Sequence, residues 1–450
     1  MSVTVKESSM VCPAEATPRR SLWLSRLDMI IRMPYSHSNI VGAYSPTADI
    51  EGPKCLDTEI LKEALSRVLV PFYPMAGRLK ENEENGRFEI DCNAEGALFV
   101  EVETTHTLAE LGDDFREIVI PTCDYSGGLS SFPLVMLQVT RFKCGEVCLG
   151  FAAHHHLVDG MSISFFFSSW ARLARGLQLQ AQPFVDRIDY LAPRNPPEVN
   201  FQHLEYDQPL PPILPEGLSG EIDATSRECM FTFTKHDIKT LNLQATYLDS
   251  EAQEANSHKL STYEVLAGHV WRTACKARGL TGDQDVKLYI PTDGRSRLRD
   301  PTLPQGYLGN AIFFTACIAK AGDITCKPLR YAASKVQEAL KRVQNTEYLR
   351  SAIDYLESEP DLSTLVRGAQ HVTCPNLVIN SWGKIPVDIA DFGWGKPKFL
   401  VQGGVRHEGQ AFLIPKQDQQ GGFLLTIKLF NIHIPHFQDC LFDFESIPTD

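Results

Sequence analysis

The sequence predicts an α/β protein built as two halves of similar size. The chain has 450 residues, about three times the length of a typical single domain, so two hydrophobic cores are expected. Seven prolines fall within residues 193–215. Because proline fixes φ and lacks an N–H donor, this stretch favours an extended connection. Helical and strand patterns occur on both sides of it, so we expect an N-terminal domain at 1–190, a crossover at 191–220 and a C-terminal domain at 221–450.

The first half alternates helix and strand patterns. Apolar residues recur at helical spacing behind the N-cap candidate Asp57, and Pro71 ends the run. A second helix is expected after Gly160, with Gly176 as its C-terminal stop. Strands are expected in four apolar or alternating segments, at residues 87–93, 97–103, 133–142 and 146–156.

The second half repeats this arrangement. Ser261 and Glu264 form an S-x-x-E capping box that predicts a helix start. One long amphipathic helix is expected from Ser334 to about Glu357. Strands are expected at residues 286–290, 377–381, 398–401 and 423–430.

Composition and charge exclude several classes of function. Hydrophobic residues make up 43% and charged residues 22% of the chain, as in an ordinary globular protein. A formal net charge of −13 argues against binding to nucleic acid or to an anionic membrane. The sequence has neither a run of about 20 apolar residues nor a signal-peptide pattern, so a cytoplasmic protein is expected. Its twelve cysteines form no C-x-x-C pair, which favours reduced thiols over a zinc site.

The segment from His154 to Gly160 contains the strongest candidate for chemistry. Three histidines follow an apolar strand and precede a glycine turn, and histidine is the natural general base near neutral pH. Because side chains alternate along a strand, His155 should point away from His154 and His156. Adjacent strand residues cannot converge on one metal ion, so no metal site is expected. Polar packing at a strand end remains an alternative, since H-x-x-x-D-G alone is short.

A second segment, Asp391 to Gly395, reads D-F-G-W-G. The D-F-G of a protein kinase requires a glycine-rich loop, a V-A-I-K-type strand and an H-R-D element, which this sequence lacks. It also lacks a G-x-S-x-G elbow, a phosphate-binding P-loop and a G-x-G-x-x-G turn after a strand. Kinase, serine hydrolase and nucleotide chemistry are therefore not supported.

The two segments together resemble the BAHD family of plant acyl-CoA-dependent acyltransferases. The resemblance extends along the chain, through residues 70–80, 261–272, 293–299, 306–313 and 381–386. Segments 22–38, 88–101 and 121–134 are most similar to the members that transfer hydroxycinnamoyl or benzoyl groups to anthranilate. The resemblance implies two chloramphenicol-acetyltransferase-like domains with mixed sheets and a solvent channel between them. It also implies acyl-CoA as co-substrate, no metal, no permanently bound cofactor and a monomer.

The resemblance also implies roles for individual residues. His155 would be the general base, and Asp391 is a second catalytic candidate. Loops would be shaped by Asp159, Gly160, Arg295, Gly393 and Trp394, with Arg295 pairing with Asp159. The acceptor would be bound by Lys384, Trp382 and His37. CoA would be bound by Lys259, Ser261, Thr262, Tyr263, Glu264, Asp293, Arg297, Arg299 and Ser381.

Lys384 departs from the family pattern, in which an arginine at the matching place binds the acceptor carboxylate. Lysine keeps the positive charge but loses the planar two-pronged hydrogen bond. An acidic acceptor therefore stays open, and a surface lysine is the alternative. We expect transfer of a hydroxycinnamoyl or benzoyl group to the amine of anthranilate or hydroxyanthranilate. Esterification of shikimate or quinate is the second hypothesis, and an inactive acyl-CoA-binding protein is the third.

Overall fold

The structure is a computed structural model, and it describes residues 3–31, 35–45, 55–112, 115–216, 225–247, 259–385, 390–416 and 420–444. The end of the expected crossover (217–220), the start of the expected second domain (221–224) and the last residue of the family-like segment 381–386 lie outside these ranges. The chain divides into two compact units. The first comprises residues 1–192, 300–311 and 385–404, and the second comprises 193–299, 312–384 and 405–450.

The described part of the chain contains both strands and helices. The strands are β1 Val3–Val11, β2 Ser21–Trp23, β3 His37–Tyr44, β4 Arg78–Glu81, β5 Phe88–Asp91, β6 Ala97–Thr104, β7 Val135–Arg141, β8 Val147–His154, β9 Ser226–Phe233, β10 Asp285–Asp293, β11 Ile312–Lys320, β12 Asn376–Ser381, β13 Phe399–Gln402, β14 Gln410–Pro415 and β15 Phe423–Phe430. The α-helices are α1 Arg26–Ile30, α2 Thr58–Val68, α3 Leu108–Leu111, α4 Phe115–Val119, α5 Gly160–Ala174, α6 Ile188–Leu191, α7 Lys235–Tyr247, α8 Thr262–Ala277, α9 Ala321–Cys326, α10 Leu329–Arg342, α11 Thr346–Ser358 and α12 Ile434–Leu441.

The first unit contains a six-stranded mixed sheet in the order β1-β6-β7-β8-β3-β13. Only the β6–β7 pair is parallel; the other neighbouring pairs are antiparallel. A smaller antiparallel sheet has the order β2-β5-β4. The all-buried strand β8 lies between β7 and β3, so the end of β8 is fixed by hydrogen bonds on both sides.

Strand β13 explains why residues 385–404 belong to the first unit. It pairs antiparallel with β3, with Val401 opposite Val41. The domain division predicted from the sequence places the D-F-G-W-G segment in the C-terminal domain at 221–450. The contacts instead group this segment with the first unit, because the strand that follows it completes the first sheet.

Helices α2 and α5 pack together in the first unit. Asp57 caps α2 and accepts hydrogen bonds from the amides of Glu59 and Ile60, as expected from the sequence. Trp170 of α5 is fully buried and donates its indole N–H to the Leu61 carbonyl at 3.0 Å. A buried indole that also satisfies its N–H is an effective anchor, so α5 has a fixed position behind β8.

The second unit contains a mixed sheet in the order β11-β10-β12-β14-β15-β9. Helix α8 is largely buried and begins with the expected capping box of Ser261 and Glu264. A Cβ atom on Gly268 would lie 2.7 Å from the backbone nitrogen of Ala333. Glycine at this position therefore allows α8 and α10 to approach closely.

The prediction of a single long helix from Ser334 to about Glu357 is wrong. The structure has two helices, α10 and α11, because Asn345 begins a new one. Its side chain accepts a hydrogen bond from the Glu347 amide at 2.9 Å, which is N-cap geometry. The amphipathic pattern continues through this break, so periodicity alone did not reveal it.

The crossover was expected at 191–220, and Leu191 is the last residue of α6. Residues 193–216 contain no helix or strand. This segment is nevertheless bonded to the second unit. Arg194 donates to the Asp354 carboxylate at 2.6 Å, and His203 lies between Glu205 and Ser351 at 2.9 Å from each. The proline-rich segment is thus an extended, anchored connection.

Candidate active site

The strand β8 ends at the histidine triplet. His154 is its last residue, and the amide of Leu157 bonds back to the His154 carbonyl at 3.0 Å. The following helix, α5, begins at Gly160 with Asp159 as its N-cap. The local sequence produces this turn because an apolar strand is followed by an N-cap aspartate and a helical pattern.

The three histidines face different surroundings. His154 and His156 are fully buried, and their rings lie edge to face at 4.9 Å. His154 also stacks on Phe132, and His156 stacks on Phe88. His155 is only partly buried. The strand expected at 146–156 ends at His154, so His155 and His156 lie in the turn that follows it. His155 is nevertheless separated from the other two histidines, which pack in the core.

Asn310 contacts His155 at two points. The His155 Nδ1 lies 3.1 Å from the Asn310 Oδ1, and the Asn310 Nδ2 donates to the His155 carbonyl at 2.7 Å. Asn310 is itself fully buried. One side chain therefore holds both the ring and the backbone of the candidate base.

Asn310 is bonded in turn to a buried carboxylate. Its backbone N–H and its Nδ2 both donate to the Oδ1 of Asp28, at 3.1 and 2.9 Å. The other oxygen, Oδ2, accepts from the backbone and hydroxyl of Ser25 at 2.8 and 2.7 Å. The Arg187 Nε lies 3.5 Å from this oxygen, with both side chains at most 1% exposed. A buried carboxylate needs such a cation and full hydrogen bonding.

Asp159 bonds to two backbone amides. Its Oδ1 accepts from the Ser162 amide at 2.9 Å, which caps α5, and its Oδ2 accepts from the Ala311 amide at 3.0 Å. This agrees with a loop-shaping role, and the pairing with Arg295 stays a prediction. A Cβ atom on Gly160 would lie 2.9 Å from the Ile385 Cδ1, the flexible end of a side chain, so the loop-shaping role of Gly160 stays a prediction.

The D-F-G-W-G segment is a tight turn in the first unit. Asp391 Oδ1 accepts from the amides of Gly393 and Gly395 at 2.9 and 3.1 Å. These glycines have φ of +108° and +90°, values that side-chain-bearing residues rarely adopt. Phe392 is buried against Trp170 at 4.6 Å between ring centroids, and Trp394 is also buried. This geometry describes a structural turn, and the catalytic role of Asp391 stays a prediction.

The three residues expected to bind the acceptor occupy different environments. His37 is buried, with its ring nitrogens 2.7 Å from the Tyr125 hydroxyl and 2.9 Å from the Pro133 carbonyl. Both nitrogens are already engaged, so this geometry does not support acceptor binding by His37. Trp382 is partly buried and packs edge-on against Phe412 in the second unit. Lys384 is exposed, so its ammonium group is accessible.

The start of α8, expected to bind CoA, is largely occupied by its own cap. The Ser261 hydroxyl accepts from the Glu264 amide, and the Glu264 carboxylate accepts from the Ser261 amide at 2.6 Å. Tyr263 donates to the Ile379 carbonyl, and burial raises the pKa of its hydroxyl. The Glu264 carboxylate would repel a phosphate group, and the Tyr263 hydroxyl is already bonded to a carbonyl. Neither residue therefore has the environment of a CoA ligand. Exposed Lys259 and the adjacent Thr262 remain candidates.

The arginine segment after β10 is partly self-bonded. Arg295 donates to the Asp293 carboxylate at 2.9 Å, and Arg297 donates to the Asp293 carbonyl. Burial lowers the pKa of Arg297. Arg299 and Ser381 are exposed. Of this set, Arg299 and Ser381 are the most accessible to a phosphate, and CoA binding by the whole set stays a prediction.

Sequence reasoning missed Asn310, Asp28, Arg187 and Ser162. Ser162 Oγ donates to the Gly309 carbonyl at 2.8 Å and accepts from its amide at 3.0 Å. For Asn310 the sequence offers one signal, the glycine–asparagine pair that precedes a strand in segment 306–313. At the level of sequence, this segment serves only as part of the family resemblance. Arg187 is the N-cap residue of α6, just before the crossover, where no local pattern marks it.

Within the described residues, no group of three or more His, Cys, Asp or Glu side chains is arranged to hold a metal ion. No helix in the described ranges combines the length and the apolar character needed to cross a bilayer. The twelve cysteines lie in the described ranges and are present as thiols, not as disulfides.

The model of the Transferase family matches residues 1–443. The chain therefore belongs to this family, the BAHD acyl-CoA-dependent acyltransferases, and its identification as an enzyme of that kind is confirmed.

Named relatives match over the full chain. Anthranilate N-benzoyltransferase protein 1 of Dianthus caryophyllus is 47% identical, covering 99% of this chain and 100% of its own. Shikimate O-hydroxycinnamoyltransferase of Nicotiana tabacum is 48% identical with the same coverage. Hydroxycinnamoyl-CoA:5-hydroxyanthranilate N-hydroxycinnamoyltransferase of Avena sativa is 43% identical, also covering 99% and 100%.

Solved structures show the same fold. Vinorine synthase has a TM-score of 0.72 at 20% identity and covers 97% of this chain and 96% of its own. F. graminearum TRI101 complexed with ethyl coenzyme A has a TM-score of 0.71 at 17% identity, covering 94% and 97%. These likenesses confirm the predicted class of two chloramphenicol-acetyltransferase-like domains with mixed sheets.

Proposed function

We propose that this enzyme transfers a hydroxycinnamoyl or benzoyl group from CoA to the amine of anthranilate or a hydroxyanthranilate. The observation that supports it most is the anchored, partly exposed His155 in a chain 47% identical over its full length to an anthranilate N-benzoyltransferase. The relative named for 5-hydroxyanthranilate, at 43% identity, supports the hydroxylated acceptor.

The reaction requires a single base. The amine nitrogen attacks the thioester carbonyl carbon, and a C–N bond forms as the carbonyl becomes tetrahedral. His155 takes the proton that the nitrogen loses, the C–S bond breaks, and the CoA thiolate receives a proton from the imidazolium. The base is then neutral again. General-base assistance of this kind contributes about 10²- to 10⁴-fold.

Anthranilate suits such a base because its aryl amine is neutral near pH 7. His155 therefore need not remove a proton before attack. The acceptor also has a carboxylate, for which the sequence offers Lys384, an exposed lysine on the turn after β12. A lysine supplies charge without fixed two-pronged geometry, so it can neutralise the carboxylate without fixing its orientation.

A second candidate is supported by a specific observation. The shikimate O-hydroxycinnamoyltransferase of tobacco is 48% identical, so the same chemistry on a hydroxyl group is the alternative. A hydroxyl must lose its proton during attack, which makes the reaction depend more on the base.

A substrate panel tests the proposal. The purified enzyme is given p-coumaroyl-CoA or benzoyl-CoA with anthranilate, 5-hydroxyanthranilate, shikimate, quinate or spermidine, and free thiol and product mass are measured. We expect amide products with the two anthranilates at the highest kcat/KM. Turnover of shikimate or quinate alone would refute the proposed acceptor.

Lys384 is tested by Lys384→Ala, with the exposed Lys239→Ala as the matched control. We expect the acceptor KM to rise about tenfold, since loss of one charge-assisted contact removes about 1.5 kcal/mol of binding, while the acyl-CoA KM is unchanged. Equal increases in both KM values, or no increase, would contradict this role.

We also propose that the enzyme uses acyl-CoA as co-substrate without a permanently bound cofactor, and that it is a monomer in the cytoplasm. Light scattering with size-exclusion chromatography tests whether the enzyme is a monomer. A mass near 50.3 kDa is expected, and a mass of twice that would contradict the monomer. Fluorescent fusions in plant cells test the location.

A further inference from the structure

We propose that Asn310 is a positioning residue that holds His155 with its proton on Nδ1 and a lone pair on Nε2, and that Asp28 fixes Asn310 in the orientation this requires. The inference deepens the proposed function, because it rests on His155 being the base. It does not depend on which acceptor is used.

The hydrogen bonds of Asn310 determine which way its amide points. Its Nδ2 lies 2.9 Å from the Asp28 Oδ1 and 2.7 Å from the His155 carbonyl. Both oxygens can only accept, so the group between them must be the NH₂ end. A flipped amide would place its oxygen against a carboxylate and a carbonyl. The Oδ1 of Asn310 is therefore the atom that faces the His155 ring.

This orientation determines the tautomer of His155. The amide oxygen, 3.1 Å from Nδ1, can only accept a hydrogen bond, so Nδ1 must carry the proton. In a neutral imidazole the other nitrogen, Nε2, is then unprotonated and carries the lone pair. Because the same asparagine bonds to the His155 carbonyl, the ring and the backbone of the base are held together.

Asp28 is held in place on its other side. Its Oδ2 accepts two hydrogen bonds from Ser25 and lies 3.5 Å from the Arg187 Nε. The carboxylate therefore cannot rotate without losing buried partners. Its Oδ1 is left to receive both the backbone and the side-chain N–H of Asn310.

The loop that contains Asn310 is clamped on both sides of it. Ser162 bonds to both the amide and the carbonyl of Gly309, and Asp159 accepts from the Ala311 amide. A Cβ atom on Gly309 would lie 2.7 Å from the Arg187 Nε. The aspartate of the H-x-x-x-D-G segment thus acts on the base through the backbone next to Asn310.

The tautomer can be observed directly, without substrate. The full-length enzyme is prepared with ¹⁵N-labelled histidine, and the His155 signals are identified as those missing from His155→Ala. We expect Nδ1 to show the shift of a protonated nitrogen and Nε2 that of an unprotonated one, at a pH where the ring is neutral. A protonated Nε2 in the neutral ring would overturn the proposal, whatever acceptor the enzyme uses.

Kinetics test the positioning role with the acceptor that the wild-type enzyme uses best. Asn310→Ala should lower kcat by about 100-fold, within the range that a general base contributes, with an unchanged acyl-CoA KM. Asn242→Ala, on α7 in the second unit, is the matched control and should keep its activity. Folding is checked by the melting temperature. A folded Asn310→Ala enzyme with kcat within threefold of wild type would overturn the role.

Asn310→Asp tests the contact with the ring through the pH dependence of kcat/KM, which a merely structural residue would not change. A carboxylate beside Nδ1 favours the imidazolium, so the acid limb of kcat/KM should move to higher pH. If repulsion from Asp28 prevents folding, the double variant Asp28→Asn, Asn310→Asp leaves one carboxylate in the pair and should show the same movement. An acid limb that stays in place in the folded variant would contradict the proposal. Failure of the acceptor panel alone would refute only the proposed acceptor.

Discussion

Replacement of Asp391 distinguishes a catalytic from a structural D-F-G-W-G segment. Asp391→Asn keeps an oxygen that can accept from the amides of Gly393 and Gly395, and it removes the charge. Asp391→Ala removes both bonds. If the segment is structural, the first variant should behave almost like wild type and the second should lose stability.

The size of the effect follows from the contacts. The two amide bonds, at 2.9 and 3.1 Å, contribute about 1 kcal/mol each. The Arg175 guanidinium lies 4.0 Å from the carboxylate with side chains 41% and 32% exposed, so this ion pair adds little. Asp391→Ala should therefore lower the free energy of unfolding by about 2 kcal/mol, and Asp391→Asn by less than about 1 kcal/mol.

The assay combines thermal unfolding with acyl transfer at saturating p-coumaroyl-CoA. We expect Asp391→Asn to retain kcat within about fivefold, because removing a surface ion pair changes little. Asp391→Ala should unfold about 4 °C lower. A loss of kcat greater than 100-fold in Asp391→Asn, with an unchanged melting temperature, would refute the structural role and restore Asp391 as a catalytic residue.

Four further substitutions test packing and buried charge. Gly150→Ala should destabilise the protein by more than about 3 kcal/mol, since its Cβ would lie 1.9 Å from the Val119 carbonyl oxygen. Gly160→Ala should cost less than about 1 kcal/mol, because its Cβ would meet only the end of a side chain. Melting curves of the two variants check this difference. Glu408→Gln should cost about 3–5 kcal/mol in urea unfolding, because it leaves the buried Arg278 without its anionic partner. Burial lowers the pKa of His269 to about 4, below its value in the unfolded chain. The free energy of unfolding should therefore fall as the pH drops from 7 to 5, by about 2 kcal/mol for this residue. His269→Gln should flatten this pH dependence, and a variant with the wild-type pH profile would contradict the prediction.

Local signals predicted much of the fold. The Asp57 cap and the Ser261–Glu264 capping box lie where local chemistry places them. The strand expected at 146–156 is present as β8, Val147–His154. Each depends on residues within a few positions of one another. The break at Asn345 was missed because an apolar face continues on both sides of it, so the weaker cap signal was not considered.

The site itself was only partly predictable. His155 stands out through its position after an apolar strand. Its partner Asn310 is 155 residues away, and Asp28 is 282 residues from Asn310. No periodicity or spacing connects such positions, since only the tertiary fold brings them together. The engaged ring nitrogens of His37 also depend on Tyr125 and Pro133, which the sequence alone does not place beside it.

The most direct test of the catalytic role is the rate of CoA release by His155→Ala, with p-coumaroyl-CoA and the acceptor that the wild-type enzyme prefers. His236→Ala, an exposed histidine on α7, serves as the control. We expect His155→Ala to lose about 10²- to 10⁴-fold in kcat with an unchanged melting temperature, and the control to keep its activity. A folded His155→Ala enzyme that loses less than tenfold would contradict the role of His155 as the base.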